Sequence, residues 1–458
     1  MDSVEKKYVD IRTLSSDLFG HKICIRGRIH YTRFYKNMGF IMLRYQQSTI
    51  QIVISSDVIT PGPFGSLSKL LVESVIECHG VLRASVNKIR SSSYPDFEMD
   101  LVSYDIVSPS AVVPFQIETI DSSKEFKNNV MNDTKLNNRW LELRSPVNNS
   151  IFRIQSFVVQ YFRNYLLKHD FIELHSPKII GSKSEGGSDV FELEYFDKTA
   201  FLAQSPQLYK QMAINSDFDK VFEIGPVFRA EKSQTLRHMC EFIGLDIEMT
   251  IPIGFTYKFI QEFIYGLLIH IFDNLKSNHK NLIDCVRERY PIDEITYTTE
   301  PLIISFVNCV QMLKENGIVQ GDLEDLSSEN EKILGQIVKE KYKSDLFIID
   351  QYPSTVRPFY TMQSSNPLYS NSYDIIFRGT EICSGAQRVH DYETLVQKLK
   401  EREINPESLK HYLESFKHGS IPHGGCGFGL ERIVSLYLGL GSVKNASFCH
   451  RDPNRLFP

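Results

Sequence analysis

Long apolar runs are missing from this sequence. The longest, residues 263–272 (FIYGLLIHIF), is far short of the ~20 residues a helix needs to cross a bilayer and reads as a buried helix. The start, MDSVEKKYVD, lacks the apolar centre of a secretory leader. The eight cysteines stand singly, at 24, 78, 240, 285, 309, 383, 426 and 449, with no CxxC pair. That spacing argues against a zinc knuckle and against a secreted disulfide framework. A reducing, cytoplasmic setting is expected. Basic residues are not in excess either, since 51 Lys and Arg face 56 Asp and Glu for a formal net charge of -5. Binding to nucleic acid would therefore rest on a local positive surface. There is no internal repeat, no low-complexity tract and no GK[ST] after the glycine-rich HGGCGFG.

What is present fits a soluble chain of two or three domains. It has 458 residues, of which 42% are apolar and 23% charged. Within residues 20–107, HKICIRGRIH, GFIMLRY, TIQIVIS, VIECHGVLRASV and FEMDLVSYDIVS are β-rich runs broken by Gly, Ser, Asn or Pro, which predicts a small barrel. Residues 108–145 are polar and unpatterned and read as a linker. From 146 on, helices and strands mix without regular alternation, which predicts an α+β domain with an antiparallel sheet. Ile151, Ile154, Val158, Phe162 and Leu166 mark a helix to about 169, with Asn148 or Asn149 as its cap. Helices are also predicted at about 254–289 and 327–341. The expected division is a barrel domain 1–107, a hinge 108–145 and a third part 146–458.

Four segments carry chemistry, and each has a plainer reading. Arg26, Arg28 and His30 alternate on one strand face, and Tyr31, Arg33, Phe34, Tyr35, Lys36 and Phe40 follow. Cations interleaved with aromatics suit single-stranded nucleic acid, or a solvated face over core rings. In GPVFRAEKSQTLRHMCEF (225–242), Arg229 and Glu231 alternate before a loop with Lys232, Arg237 and His238. Such a loop suits a triphosphate, or is an ordinary charged hairpin. In GTEICSGAQRVHD (379–391), an extended strand places Glu381, Cys383, Gly385 and Gln387 on one face. Arg388 beside a carboxylate and a hydroxyl suits an anion or metal-phosphate site, or a structural ion pair. The glycines of HGGCGFGLERI (423–433) permit close backbone approach before a helix bearing Arg432.

The order of these segments resembles the aspartyl-tRNA synthetases of the archaeal and eukaryotic cytosolic type, from about Gly20 to Pro458. HSPKIIG with Pro177 resembles class II motif 1, FEIGPVFRAE…RHMCEF motif 2 and GGCGFGLERI motif 3. SEGGSDVFE, LAQSPQLYKQ, GLDIEM, VRPFYTM and SNSYDIIFRG resemble the aspartate branch. The resemblance implies an OB barrel for the anticodon of tRNA-Asp, a hinge and an antiparallel sheet flanked by helices. It implies an enzyme that activates L-aspartate with ATP and Mg2+ and loads the 3′-terminal adenosine. By the same resemblance, Arg229 binds the α-phosphate, Glu231 reads adenine, Phe242 stacks on it, and His238 and Arg432 reach the outer phosphates. Glu381 and Ser384 are the implied magnesium ligands, with Asp374 a further candidate. Lys210 and Arg388 would bind the aspartate side chain, with Ser184, Glu185, Gln207 and Asp246 at its α-amino end. Arg33, Phe40 and Gln51 match anticodon-contacting positions. Motif 1 around Pro177 implies a homodimer. Lys232, Cys426, Phe428 and the pair Cys449-His450 depart from the family pattern, and a Lys-rich N-terminal extension is lacking.

Two rivals are weaker. An asparaginyl-tRNA synthetase would not reward the pairing of Lys210 with Arg388. A synthetase-like regulator would lose motif arginines that this sequence keeps.

Overall fold

Isoleucine spacing builds the first unit. In β1 (Lys22–Phe34), Ile23, Ile25 and Ile29 point inward while Arg26, Arg28 and His30 point outward. β2 (Met38–Tyr45) contributes Ile41 and Leu43, and β3 (Ser48–Ser55) contributes Ile50, Ile52 and Ile54. With β4 (Val75–Ala84) and β5 (Phe97–Ser108) they close a barrel in the order β1-β2-β3-β5-β4. Closure leaves no exposed sheet edge, and the five strands are those the sequence predicts.

The computed structural model describes residues 7–55, 65, 67–117, 130–183, 190–232 and 235–458. Its contacts divide the chain into residues 1–148 and 149–458. Within the stretch expected as a linker, short helices span Asn132–Asn137 and Arg139–Glu142, and Leu141 packs with Phe115 and Ile117. The following helix runs Pro146–Lys168. It starts earlier than expected, because Ser145 Oγ rather than Asn148 or Asn149 accepts a first-turn amide, that of Asn148, at 3.2 Å. A proline at the first helical position fits that start.

The second unit is built on an eight-stranded sheet. Its strands include β6 (Ile172–Glu173), and a three-stranded sheet is formed by β7 (Ile179–Ile180), β8 (Glu192–Tyr195) and β9 (Lys198–Leu202). The large sheet continues with β10 (Lys220–Phe228), β11 (Glu241–Thr250), β12 (Ile303–Ser305), β13 (Leu346–Asp350), β14 (Ser372–Phe377), β15 (Thr380–Gln387) and β16 (His423–Gly429). The spatial order is β12-β13-β14-β15-β16-β11-β10-β6. The centre is antiparallel as expected, while the outermost pairs β12-β13 and β6-β10 are parallel. Helix Lys258–Asn278 lays Ile260, Ile264, Leu268 and Ile271 on the core. The predicted stretch 254–289 is two helices, this one and Lys280–Arg287. The glycine-rich segment before the helix bearing Arg432 is strand β16 itself, paired to β11 and β15. A Cβ on Gly425 would come within 2.0 Å of the Ile247 carbonyl, so glycine is what lets this strand lie so close.

Candidate active site

The register of the large sheet lines up a row of side chains. Asp374 faces Ser384, Ser384 faces Gly427, Gly427 faces Asp246 and Asp246 faces Glu223. Above this row is a cavity of about 320 Å³, within the range of small-molecule sites. A Cβ on Gly427 would meet Asp246 Oδ1 at 3.0 Å, so its absence keeps the middle of the row open.

The order of faces on β15 differs from an extended strand. Ile376 pairs with Glu381, yet Ile375 pairs with Cys383, so Ile382 is an extra residue in a bulge. The bulge reverses the alternation. Glu381 and Ser384 both line the cavity, while Cys383, expected on the same face as Glu381, packs in the core. Arg357, not among the expected site residues, donates to Asp374 Oδ2 at 2.6 Å and to Ser384 Oγ at 2.8 Å. Its guanidinium lies 3.8 Å above the Tyr352 ring. Asp374 Oδ1 is buried with no hydrogen-bond partner among the described residues. Burial, and then the charge of Asp374, push the Glu381 carboxyl up to about 7, against the pull of Arg432.

Beside these groups lie four buried charges. Arg388 donates from Nε to Glu248 Oε1 at 2.9 Å and from Nη2 to Glu248 Oε2 at 3.2 Å and Gln207 Oε1 at 3.1 Å. The two-pronged edge expected to meet a substrate carboxylate is therefore taken by Glu248. Among the described residues, Nη1 is left without a protein partner. Arg388, Gln207 and Asp246 line the cavity. Lys210, expected beside Arg388 as a direct contact, is absent from that lining. Its ammonium donates to Asp246 Oδ1 at 2.9 Å and to the carbonyls of Ile247 and Cys426, and it is 1% exposed. Burial opposes its charge, but Asp246 and Glu248 outweigh burial and raise its pKa. Ser184 and Glu185 lie outside the described residues.

The hairpin of β10 and β11 supplies the other wall. Beyond Phe228 the Arg229 amide bonds the Cys240 carbonyl at 2.9 Å, and the Arg229 guanidinium sits 5.5 Å from the Phe242 ring centre. Glu231, His238 and Arg432 also line the cavity. His238 Nδ1 is 2.5 Å from Thr235 Oγ1. Burial, with the surrounding Arg432, Arg237 and Arg229, holds the imidazole below its ordinary pKa despite Glu231. Arg432 Nη1 donates to the Glu381 carbonyl at 2.9 Å. Arg237 of the loop is clasped by Glu331 at 2.7 Å. Glu431 accepts from the Ile243 amide at 3.1 Å, and burial pushes its carboxyl up to about 7. Glu248, Glu331 and Glu431 were not among the residues expected at the site.

In the barrel unit, Arg33 pairs with Phe40 across β1 and β2, and Gln51 faces Met42 and Glu98. Phe40 is partly buried and outside the barrel core, meeting Tyr35 edge-on at 6.3 Å. Gln51 donates to Glu98 at 3.1 Å. The preceding cations behave differently from the expectation for a nucleic-acid face. Arg26 is ion-paired with Glu77, Arg28 bonds the Glu73 carbonyl, and His30 packs on the buried Arg44–Glu73 pair. Burial and the Arg44 charge lower the His30 pKa to about 4. These three residues are spent on the barrel itself.

The family described as tRNA synthetases class II (D, K and N) matches residues 131–451. The cytoplasmic aspartate–tRNA ligase of Caenorhabditis elegans is 41% identical over 475 residues, covering 100% of this chain and 89% of that protein. The solved aspartyl tRNA synthetase of Entamoeba histolytica has a TM-score of 0.90 at 38% identity, covering 100% of this chain and 94% of that one. The asparaginyl-tRNA synthetase of Pyrococcus horikoshii, complexed with asparaginyl-adenylate, has a TM-score of 0.87 at 27% identity, covering 99% and 100%. No helix of the described residues is long and apolar enough to cross a membrane.

Proposed function

The chain belongs to the aspartate–tRNA ligases of the class II tRNA synthetases, and from that premise we propose how its cavity joins aspartate to ATP and then to tRNA-Asp. The observation that carries the choice of aspartate is the charge count beneath the cavity. Lys210 and Arg388 are balanced there by Asp246 and Glu248. When Asp246 takes the substrate's α-ammonium, one buried positive charge is left over. A side-chain carboxylate neutralises it through Arg388 Nη1, and an amide does not. Lys210 acts from behind, holding Asp246 and adding its field. Gln207 fixes the guanidinium plane.

Phe242 stacks on adenine and Glu231 accepts from its amino group. Arg229 holds the α-phosphate, while Arg432 and His238 hold the outer phosphates. Mg2+ bound with ATP supplies further cancellation of phosphate charge. Glu381 and Ser384 would hold it, with Asp374 behind them, and a carboxyl pushed up by burial and then by its acidic neighbour, beside an unpartnered carboxylate oxygen, is a donor set that suits a cation. The α-carboxylate of aspartate is the nucleophile. It bonds to the α-phosphorus as the bond to pyrophosphate breaks, so no general base is needed and catalysis is positioning and charge cancellation. A terminal 3′-hydroxyl of tRNA then attacks the aspartyl carbonyl and AMP leaves.

Arg33, Phe40 and Gln51 offer an outward surface for an anticodon base. A second copy of the chain pairs through the segment around the exposed Pro177, where Ile172 and Ile179 stand 46% and 49% exposed. The location is the cytoplasm, as in the names of the relatives. The activity is tested by amino-acid-dependent ATP–pyrophosphate exchange. Aspartate should support it and asparagine and lysine should not; equal exchange with asparagine overturns the assignment.

A further inference from the structure

A second cluster of metal-ligating side chains lies on the outer face of the barrel. Cys24, Glu77 and His79 each offer a donor atom within 4.8 Å of the others. They come from neighbouring strands: Cys24 on β1 is registered with His79 on β4, and Glu77 on β4 is registered with Asp105 on β5. His79 Nε2 is 3.9 Å from Cys24 Sγ on one side and 3.0 Å from Asp105 Oδ2 on the other. Around a tetrahedral zinc ion, with bonds near 2.0–2.3 Å, neighbouring donors are about 3.5 Å apart. The two observed separations bracket that value. Cys24 is 1% exposed and Glu77 9%, so the sulfur and one carboxylate are already withdrawn from water.

We propose that Cys24, Glu77 and His79, completed by the exposed Asp105 carboxylate that now stands beside His79 and outside the trio, form a structural site for a zinc-like divalent cation that ties three barrel strands together. A thiolate, an imidazole and two carboxylates suit Zn2+, whereas Mg2+ and Ca2+ favour all-oxygen sets. The ion-pair reading accounts for less. Both Arg26 contacts fall on Glu77 Oε1, and a His79–Asp105 bond needs no sulfur. Neither explains a cysteine sulfur held against the same imidazole nitrogen. Sequence spacing could not reveal the site, because its other ligands are 53, 55 and 81 residues from Cys24 and meet only when β1, β4 and β5 pair. The backbone of Cys24 also grips the segment before the barrel, through Val9 N to Cys24 O and Cys24 N to Lys7 O, both at 2.9 Å. A cation there would fasten that segment as well. Along β1 the cluster is nine residues from Arg33, about 30 Å at strand rise, so aspartate activation and the anticodon surface should not depend on it.

The test uses the full-length chain, stripped with a chelator and titrated with Zn2+, and with Co2+ as an optical probe. One equivalent should bind, with release of the thiol proton, and should raise the melting temperature. The Co2+ form should show thiolate-to-metal charge-transfer absorption. Cys24→Ser should abolish that absorption, and Cys285→Ser should not. Loss of even an outer-shell partner weakens metal binding about 10–100-fold, so Cys24→Ser or His79→Gln should weaken Zn2+ by at least about 100-fold. Asp105 is 62% exposed in its side chain, so Asp105→Asn keeps the test open if the buried variants do not fold. The proposal is overturned if the wild-type chain binds no Zn2+ beyond that kept by Cys24→Ser/His79→Gln. It is equally overturned if the absorption survives Cys24→Ser, or if Asp105→Asn binds Zn2+ unchanged.

Discussion

Replacing Arg388 by leucine looks like a direct test of amino-acid choice, but the structure shows why it would mislead. Glu248 is fully buried and takes both Nε and Nη2 of Arg388. Removing the arginine leaves that carboxylate with Lys210, at 3.6 Å, as its remaining cation. Breaking one partner out of a buried pair costs about 3–5 kcal/mol. The single variant should therefore lose both stability and activity, and the second loss would prove nothing. The pair Arg388→Leu/Glu248→Gln removes the stranded charge together with its cause. Its unfolding free energy should return to within about 2 kcal/mol of the parent, since adjacent changes of this kind are strongly non-additive. The net charge beneath the cavity is unchanged by the pair; what it cannot recover is the Arg388 Nη1 contact to the substrate's side-chain carboxylate. Losing a hydrogen bond to a charged group is worth up to about 3 kcal/mol, so kcat/KM for aspartate should fall about 100-fold. Preference over asparagine should shrink by a similar factor, because only aspartate used that charge-assisted contact. Pyrophosphate exchange with each amino acid measures the ratio, and urea unfolding measures stability. A well-folded double variant that keeps the full preference for aspartate would refute the reasoning and make Arg388 a structural partner of Glu248 alone.

Other outcomes follow from the same geometry. Arg229→Ala removes a charge-assisted contact at the reacting phosphate and should slow pyrophosphate exchange by about 100-fold or more; near-normal exchange contradicts its role. Phe40→Ala should weaken tRNA charging by about 1–3 kcal/mol while leaving aspartate activation unchanged, because the ring lies outside the barrel core. An equal fall in activation without tRNA would argue against it. A raised Glu381 carboxyl holds its proton until pH reaches about 7, so Mg2+ must compete with that proton in acid. Apparent Mg2+ affinity should therefore be about tenfold higher near pH 8 than near pH 6. In metal-free protein the same group should lower stability as pH rises from the ordinary carboxyl range towards 7, since the folded form binds the proton more tightly than the unfolded one; affinity flat with pH would contradict the placement. Sedimentation at micromolar concentration should show a dimer, and a single-chain species alone would contradict the motif 1 pairing.

The parts of the fold legible in the sequence were those written in local spacing. Five β-rich runs broken by Gly, Ser, Asn or Pro announced the barrel strands, and apolar positions from Ile151 to Leu166 announced their helix. Functional candidates were legible through motif order, and Arg229, Glu231, His238, Phe242, Glu381, Ser384, Arg388 and Arg432 do converge on one cavity. What could not be read depends on partners distant along the chain. Arg357 lay in the quoted VRPFYTM, but its meaning comes from Asp374 and Ser384, 17 and 27 residues later. Glu248 was one letter of GLDIEM until Arg388 folded onto it. Lys210 gave no hint that its ammonium would be enclosed by Asp246 and two carbonyls. The early helix start at Pro146 hung on which of several polar residues accepted a first-turn amide, a choice that composition leaves open.

The additional residue in β15 has a consequence for how this strand tolerates change. A strand is a two-step clock, and Ile382 is the beat that sets Glu381 in phase with Ser384. Deleting that one apolar residue would take no polar group from the cavity, yet the clock would slip by half a period. Either Glu381 would turn into the core, carrying a carboxyl into a hydrophobic setting, or Ser384 and everything after it as far as Arg388 would turn away. The phosphate end and the amino-acid end of the cavity are thus kept in time by an apolar residue that brings no polar group to either. Insertions and deletions in this short span should be far rarer among functional variants than substitutions of Ile382 by other apolar side chains. A library scan that varies length separately from identity would expose that asymmetry.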